Sequence, residues 1–290
     1  MLRPLKRLAC CCAVLLLAAC SATRLGYNHL DELLHWEVSS YVDLDPQQQR
    51  LFDAELQSLW LWHRHTQLPL YAAELRRLAG LVQADALSRE QFDTASAHIA
   101  GYWKDLVAQA LPGYARVNAA LSDAQVADML RRIGKEVERK ARKRQKQSAE
   151  QRRQHRIDAM NDTLRDWIGR PNARQRQLVE QWADQVRYTA DGQTRQQRAR
   201  LDSYAALLAS RTQPGFAQRM GAFILAPEAD QDPQAPEAVE RGRWLQLLAD
   251  IAATLEPAQR EHLRKRLLGY AADFEALAAE HPDGQAAATP

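Results

Sequence analysis

The sequence predicts an all-α fold: an elongated multi-helix bundle with one long basic helical hairpin at about 123–211. Three observations carry this expectation. Long stretches rich in Ala, Leu, Gln, Arg and Glu place apolar residues three and four positions apart, the period of a helix face. β-branched runs of period two are absent, and glycine and proline fall mainly between the periodic segments. A helix-start signature also recurs, at Leu44-Asp45-Pro46-Gln47-Gln48, Leu87-Ser88-Arg89-Glu90-Gln91 and Leu121-Ser122-Asp123-Ala124-Gln125. Pro171-Asn172-Ala173-Arg174-Gln175 and Leu255-Glu256-Pro257-Ala258-Gln259 are near variants. Each places a capping or acidic residue at the cap and a glutamine three residues later. In such a capping box each side chain satisfies a free backbone donor of the other. Leu87 with Phe92, and Leu121 with Val126, add hydrophobic staples. The spacing of the five starts is too irregular for a solenoid.

In chain order, Leu30, Leu33, Leu34, Trp36 and Val38 predict a helix over 28–40. Pro46 at a first helical position opens another over 46–80, and Ser88 caps one over 89–110. The stripe Val126, Leu130, Ile133, Val137, Ala141, resumed at Ile157, Met160, Leu164 and Trp167, predicts one helix over 123–168, about 68 Å long. Gly169-Arg170-Pro171-Asn172 is the turn into a helix over 173–211, with a short one at 215–225. Ala226 to Pro236, with three prolines among acids, reads as a loop. Helices over 235–254 and 257–280 follow, and 281–290 is predicted to be a disordered tail.

Charge is segregated along this layout. Residues 20–125 carry 8 Lys/Arg against 13 Asp/Glu, residues 126–225 carry 22 against 11, and residues 226–290 carry 6 against 12. Between Arg142 and Arg156 the apolar stripe vanishes, and 191–200 shows the same gap. Folding the chain back at 169–172 brings the two gaps together as a polar waist. One reading is a solvated, salt-bridged helix pair. The other is a docking face for an anionic envelope partner, on Arg139, Lys140, Arg142, Lys143, Arg144, Lys146, Arg152, Arg153, Arg195, Arg198 and Arg200. Nucleic acid fits the charge, but the run lacks interleaved aromatics for base stacking.

The first residues have the layout of a secretion signal. Arg3, Lys6 and Arg7 precede an uncharged apolar run from Leu8 to Ala19, too short for a membrane span. It ends in Leu17-Ala18-Ala19-Cys20, which resembles the lipobox of bacterial lipoprotein precursors. That resemblance implies cleavage before Cys20, a diacylglyceryl group on its thiol and an acyl group, such as palmitate, on its new amino group. Together the chains anchor the protein stably. Ser21 in place of the aspartate of inner-membrane retention favours the outer membrane, facing the periplasm. Cys10, Cys11 and Cys12 leave with the leader, so the expected mature domain, 20–280, has no disulfide. The chain from Cys20 to Pro290 is also neutral, with 36 basic and 36 acidic residues.

Leu25-Gly26-Tyr27-Asn28, the stretch from Trp36 to Gln48, and Trp62-His63-Arg64 to Tyr71 resemble a family of uncharacterised proteobacterial lipoproteins, a domain of unknown function. The resemblance implies an envelope lipoprotein and transfers no catalytic residue or cofactor. His63 and His65 diverge on a helix, and no two histidines have the three- or four-residue spacing of metal ligands, so no metal is expected. No nucleophile elbow, P-loop or dinucleotide fingerprint is present, so no catalytic residue is named. Three functions remain open. The first is a non-enzymatic binding or envelope-assembly protein, its partner an envelope protein or anionic glycolipid. The second is an ATP-independent periplasmic chaperone holding a client polypeptide. Its basis is the helix starts, which are similar to the Leu-Thr-x-x-Gln motif of small helical chaperones. The third is an enzyme built from dispersed residues.

Overall fold

The computed structural model describes residues 23–186, 190–229 and 236–280. Helix is the only regular structure among them. After a helical turn at 23–28 come α1 (Leu30–Tyr41), α2 (Pro46–Trp62), a π-helical turn (His63–Gln67) and α3 (Leu68–Gln83). Then follow α4 (Arg89–Ala120), α5 (Asp123–Gln145), α6 (Ala149–Ile168), α7 (Ala173–Gln185), α8 (Ala190–Leu208), α9 (Phe216–Ala229), α10 (Pro236–Ala252) and α11 (Pro257–Ala279). The all-α multi-helix bundle is therefore present.

Two apolar cores organise it. In the first lobe Val42, Leu121, Val126, Met129, Leu208, Phe216 and Met220 are buried together, from α1's end, α5, α8 and α9. In the second lobe Ile157, Leu164, Leu178, Val179, Leu247 and Ile251 pack α6, α7 and α10. Ala79, Val82 and Leu267 join α3 to α11 beside them. Leu87 and Phe92 meet the second core, and Leu121 and Val126 the first, as their staple spacing requires. Helix α4, about 48 Å long, belongs to both lobes. Ala95 near its start lies beside the second core, and Leu111 and Tyr114 near its end beside the first.

Several boundaries differ from expectation, each for a local reason. The 46–80 helix is interrupted by the π turn just ahead of Pro69, whose ring excludes the carbonyl four residues earlier from an ordinary helical bond. The 89–110 helix instead continues through Pro112 to Ala120. Tertiary packing overrides the breaker: Gly113 is buried, and a Cβ there would lie 2.7 Å from Glu55 Oε2 on α2. The 123–168 helix breaks at a further capping box, Ser148 with Gln151, hidden in the sequence by the basic run around it. The returning arm is also jointed: α7 ends at Gln185, and 187–189 lie outside the described residues. The hairpin is thus two stacked antiparallel pairs, α5 with α8 and α6 with α7. Helix α9 runs on to Ala229 and α10 begins at Pro236, so both ends of the expected 226–236 loop are helical, and 230–235 lie outside the described residues. The 281–290 tail lies outside the described residues.

The recurring starts do more than cap. Asp45, Ser122, Asn172 and Glu256 each donate a backbone N–H to the glutamine three residues on, at 2.9–3.0 Å. Those glutamines then pair across the fold. Gln48 and Gln125 exchange amide hydrogen bonds of 3.0 and 2.7 Å, joining the starts of α2 and α5. Gln175 and Gln259 do the same at 2.8 and 3.0 Å, joining α7 to α11. Each amide also donates to a main-chain carbonyl, those of Ala120, Asp43, Thr254 and Arg170. Gln91 is the exception, its Oε1 accepting from Arg77 at 2.8 Å.

Gln175 is fully buried, so removing either member of its pair strands the other amide and a cap donor. We expect Gln175→Met and Gln259→Met each to cost about 1–3 kcal/mol in urea unfolding, and the double variant to cost clearly less than their sum. Additive losses would show that the two amides do not act as a unit.

Candidate functional site

The aromatic N-terminal motifs, far apart in sequence, meet in the structure. The 23–28 turn lies against the π turn and the end of α11. Tyr27 stacks on Trp60 with ring centroids 4.2 Å apart, and its hydroxyl lies 3.0 Å from His63 Nδ1. Tyr71 approaches the other ring nitrogen, Nε2, at 3.4 Å. Arg64, buried below Tyr27, donates to Asn28 Oδ1 at 2.7 Å and to Glu280 at 3.2 Å. Asn28 donates to the same Glu280 oxygen at 3.3 Å, and Arg24 pairs with its other oxygen. Tyr27, Asn28, His63 and Arg64 thus form a clasp closed by Glu280 from the far end of the chain.

The π turn makes the clasp possible. Its extra residue per turn places the neighbouring His63 and Arg64 against Tyr27 and Glu280, while Gln67 is buried. His65 turns away to the Ala278 carbonyl at 3.1 Å, so the two histidines diverge as their spacing requires.

Burial pushes the His63 imidazole below its ordinary value near 6.5, so the ring is neutral at pH 7. A neutral ring has one N–H and one lone pair, enough to donate to one tyrosine and accept from the other. Burial pushes the Tyr27 phenol up to about 12. Burial works against ionisation of Glu280 as well, but hydrogen bonds from Arg24 and Asn28 hold it below the usual carboxylate range. The arrangement is therefore a neutral aromatic hydrogen-bond chain beside a half-buried carboxylate shared by two guanidinium groups.

The basic waist forms where the sequence places it, but the protein uses most of its cations. Arg139 and Lys140 pair with Glu136, and Arg198 with Glu138 at 2.8 Å. Arg153 pairs with Asp184 and Glu150. Arg152 donates to the Arg144 and Gln147 carbonyls and so caps the end of α5. Arg144 crosses to Thr194 and Gln197, and Arg200 lies over the Phe223 ring at 4.7 Å. The waist is also less open than a polar gap implies: Ala141 and Thr194 are buried in it. Lys143, Lys146 and Arg195 have no ion pair among the described residues, and Arg142 lies exposed near Glu138. Cys20 lies outside the described residues.

Each lobe also holds an apolar cavity. That in the first, about 490 Å³, is lined by Val38, Phe52, Leu56, Val117 and the hydrogen-bonded pair Tyr114 and Tyr204, 2.6 Å apart. That in the second, about 620 Å³, lies between Leu78, Phe92, Met160, Trp167 and Leu263. Both volumes are in the range of small-molecule sites.

Residues 40–233 match the model of a family of unknown function (DUF6279). The chain belongs to that family. No curated protein and no solved structure matches it. The DUF6279 span takes in the π turn with His63 and Arg64, one glutamine pair and the polar waist. Tyr27, Asn28 and Glu280, which complete the clasp, lie outside it. Arg64, Asn28 and Glu280 are not singled out by type or spacing, although two of them stand within the aromatic motifs.

The His63 shift has a sign that can be tested. The unfolded ring takes up a proton near its ordinary pKa while the folded ring resists, so stability is full above that value and is lost as pH falls through it toward the folded pKa. We expect His63→Gln to remove this fall as pH drops below the ring's ordinary value near 6.5 in thermal unfolding. His35, raised by its hydrogen bond to Asp53, acts in the opposite direction but is common to both proteins. Parallel pH profiles would refute the assignment.

Proposed function

We propose that the protein is an envelope lipoprotein, cleaved before Cys20 and held by lipid at the periplasmic face of the outer membrane, that acts by binding a partner. The clasp carries this reading. A slack tether has no need of a seat, whereas here the segment beginning three residues after Cys20 is held by Tyr27, Asn28 and Arg24. Such a seat fixes which way the bundle faces, which matters to a protein that presents a surface. The surface we assign is the waist around Arg142, Lys143, Lys146 and Arg195, exposed cations that suit a phosphorylated or acidic envelope component. A chaperone reading would use the same helix pairs to hold a client. An enzymatic reading has no residues to name.

Two outcomes are expected. Cys20→Ser should move the protein from the membrane to the soluble fraction with its melting temperature unchanged; retention in the membrane would overturn the anchor. Lys143→Glu, Lys146→Glu and Arg195→Glu together should abolish salt-sensitive retention on vesicles containing phosphorylated envelope glycolipid without lowering the melting temperature. Undiminished retention would remove the waist from the binding surface.

A further inference from the structure

We infer that the outward face of α1 is a membrane-contacting surface, resting in the headgroup layer of the bilayer that holds the lipid anchor. This deepens the anchor reading and rests on it. Helix α1 has no buried residue. One side meets the bundle: Val38 and Tyr41 lie against the first core, and His35 bonds Asp53 on α2 at 2.7 Å. The opposite side carries Leu33, 55% exposed, and Trp36, 69% exposed, with Leu25 of the preceding turn at 60%. These are large apolar side chains that the bundle leaves to solvent.

They form a single stripe. His29 continues the helical hydrogen bonding, its N–H donating to Leu25 and its carbonyl accepting from Leu33. At 3.6 residues per turn, Leu25, Leu33 and Trp36 then fall within about 80° of arc. His29, exposed and 3.3 Å from Glu32, lies on the same arc between Trp36 and Leu33, and Glu32 and Glu37 flank it, so the face suits a zwitterionic surface better than a strongly anionic one. A tryptophan among leucines, with an apolar ring and a polar N–H, is the residue type enriched where bilayer meets water.

The occupant follows from where the chain leads. Thr23 lies three Cα–Cα steps from Cys20, a reach of about 10 Å at full extension. The stripe begins two residues later. The clasp holds the 23–28 turn to the π turn and to Glu280, so α1 cannot swing away from the anchored end.

The test uses the full lipidated chain, in which acylation blocks the thiol of Cys20 and an introduced cysteine is the only free one. Leu33→Cys and Trp36→Cys, both at exposed positions, are labelled with an environment-sensitive fluorophore, with Glu180→Cys, exposed on α7, as the control. Each is reconstituted in phosphatidylethanolamine–phosphatidylcholine vesicles with or without brominated acyl chains. We expect a blue shift and loss of fluorescence in brominated lipid at 33 and 36, and neither at 180. Co-flotation with water-like emission at 33 and 36 overturns the membrane face while leaving the anchor standing. Blue-shifted emission without bromine quenching assigns the face to a second copy and overturns it equally. Failure to float overturns the anchor, and this inference with it.

Discussion

A buried helix start must find acceptors for its first backbone N–H groups, and this fold meets that demand with glutamines used twice. In each clasped pair the Oε1 of one glutamine takes its own cap's N–H and its partner's amide hydrogen, while its Nε2 gives one hydrogen to the partner and one to a main-chain carbonyl. The amide's bonding capacity is filled, at a site where an unfilled group would be costly. The spatial consequence is larger than the energetic one. Gln48 with Gln125 ties the start of α2 to the start of α5, and Gln175 with Gln259 ties the start of α7 to the start of α11. Each lobe is thereby registered by one pair of helix starts, and α4 and the jointed hairpin run between lobes already fixed at those points.

Much of this was legible locally. The capping boxes at Asp45, Ser122 and Asn172, the start at Pro257 and the stripe of α5 depend on residues within a turn or two of each other, and they appear where the pattern puts them. Pairing between boxes 77 and 84 residues apart has no local signature. Pro112 fails as a breaker because Gly113 lets α2 approach closely, which only the neighbouring helix reveals. Ser148 and Gln151 were readable, but a basic run without apolar period drew attention away from a helix end. In the clasp, Tyr27 and His63 belong to conspicuous motifs, whereas Glu280 lies at the end of a helix like many other surface acids. Its role exists only because the chain returns.

The basic middle of the chain is likewise settled by neighbours. Twenty-two cations in one stretch invite an external partner, yet arginine also serves as a long, forked strut. Arg152 closes the end of α5, Arg153 and Arg198 tie one helix to the next, and Arg144 bridges a waist whose close contacts are made by Ala141 and Thr194. The acids taking part come mostly from the same hairpin, so a region of high net charge is internally braced. What is left outward-facing is a small set of residues on the α5–α6 joint and early α8.

The clasp joins Arg24 and Asn28 to Glu280, across some 250 positions of sequence. A chain made from its N-terminus forward therefore presents half of this contact first and completes it almost last. Until α11 arrives, Ala79 and Val82 on α3 lack Leu267, and Gln175 has no amide opposite. Synthesis that stops one helix short leaves both the second core and the seat of the N-terminal segment open. Among the described residues α11 is the piece that closes this seat, and a chain cut before its final turn would leave Arg24, Asn28 and Arg64 without the carboxylate they share.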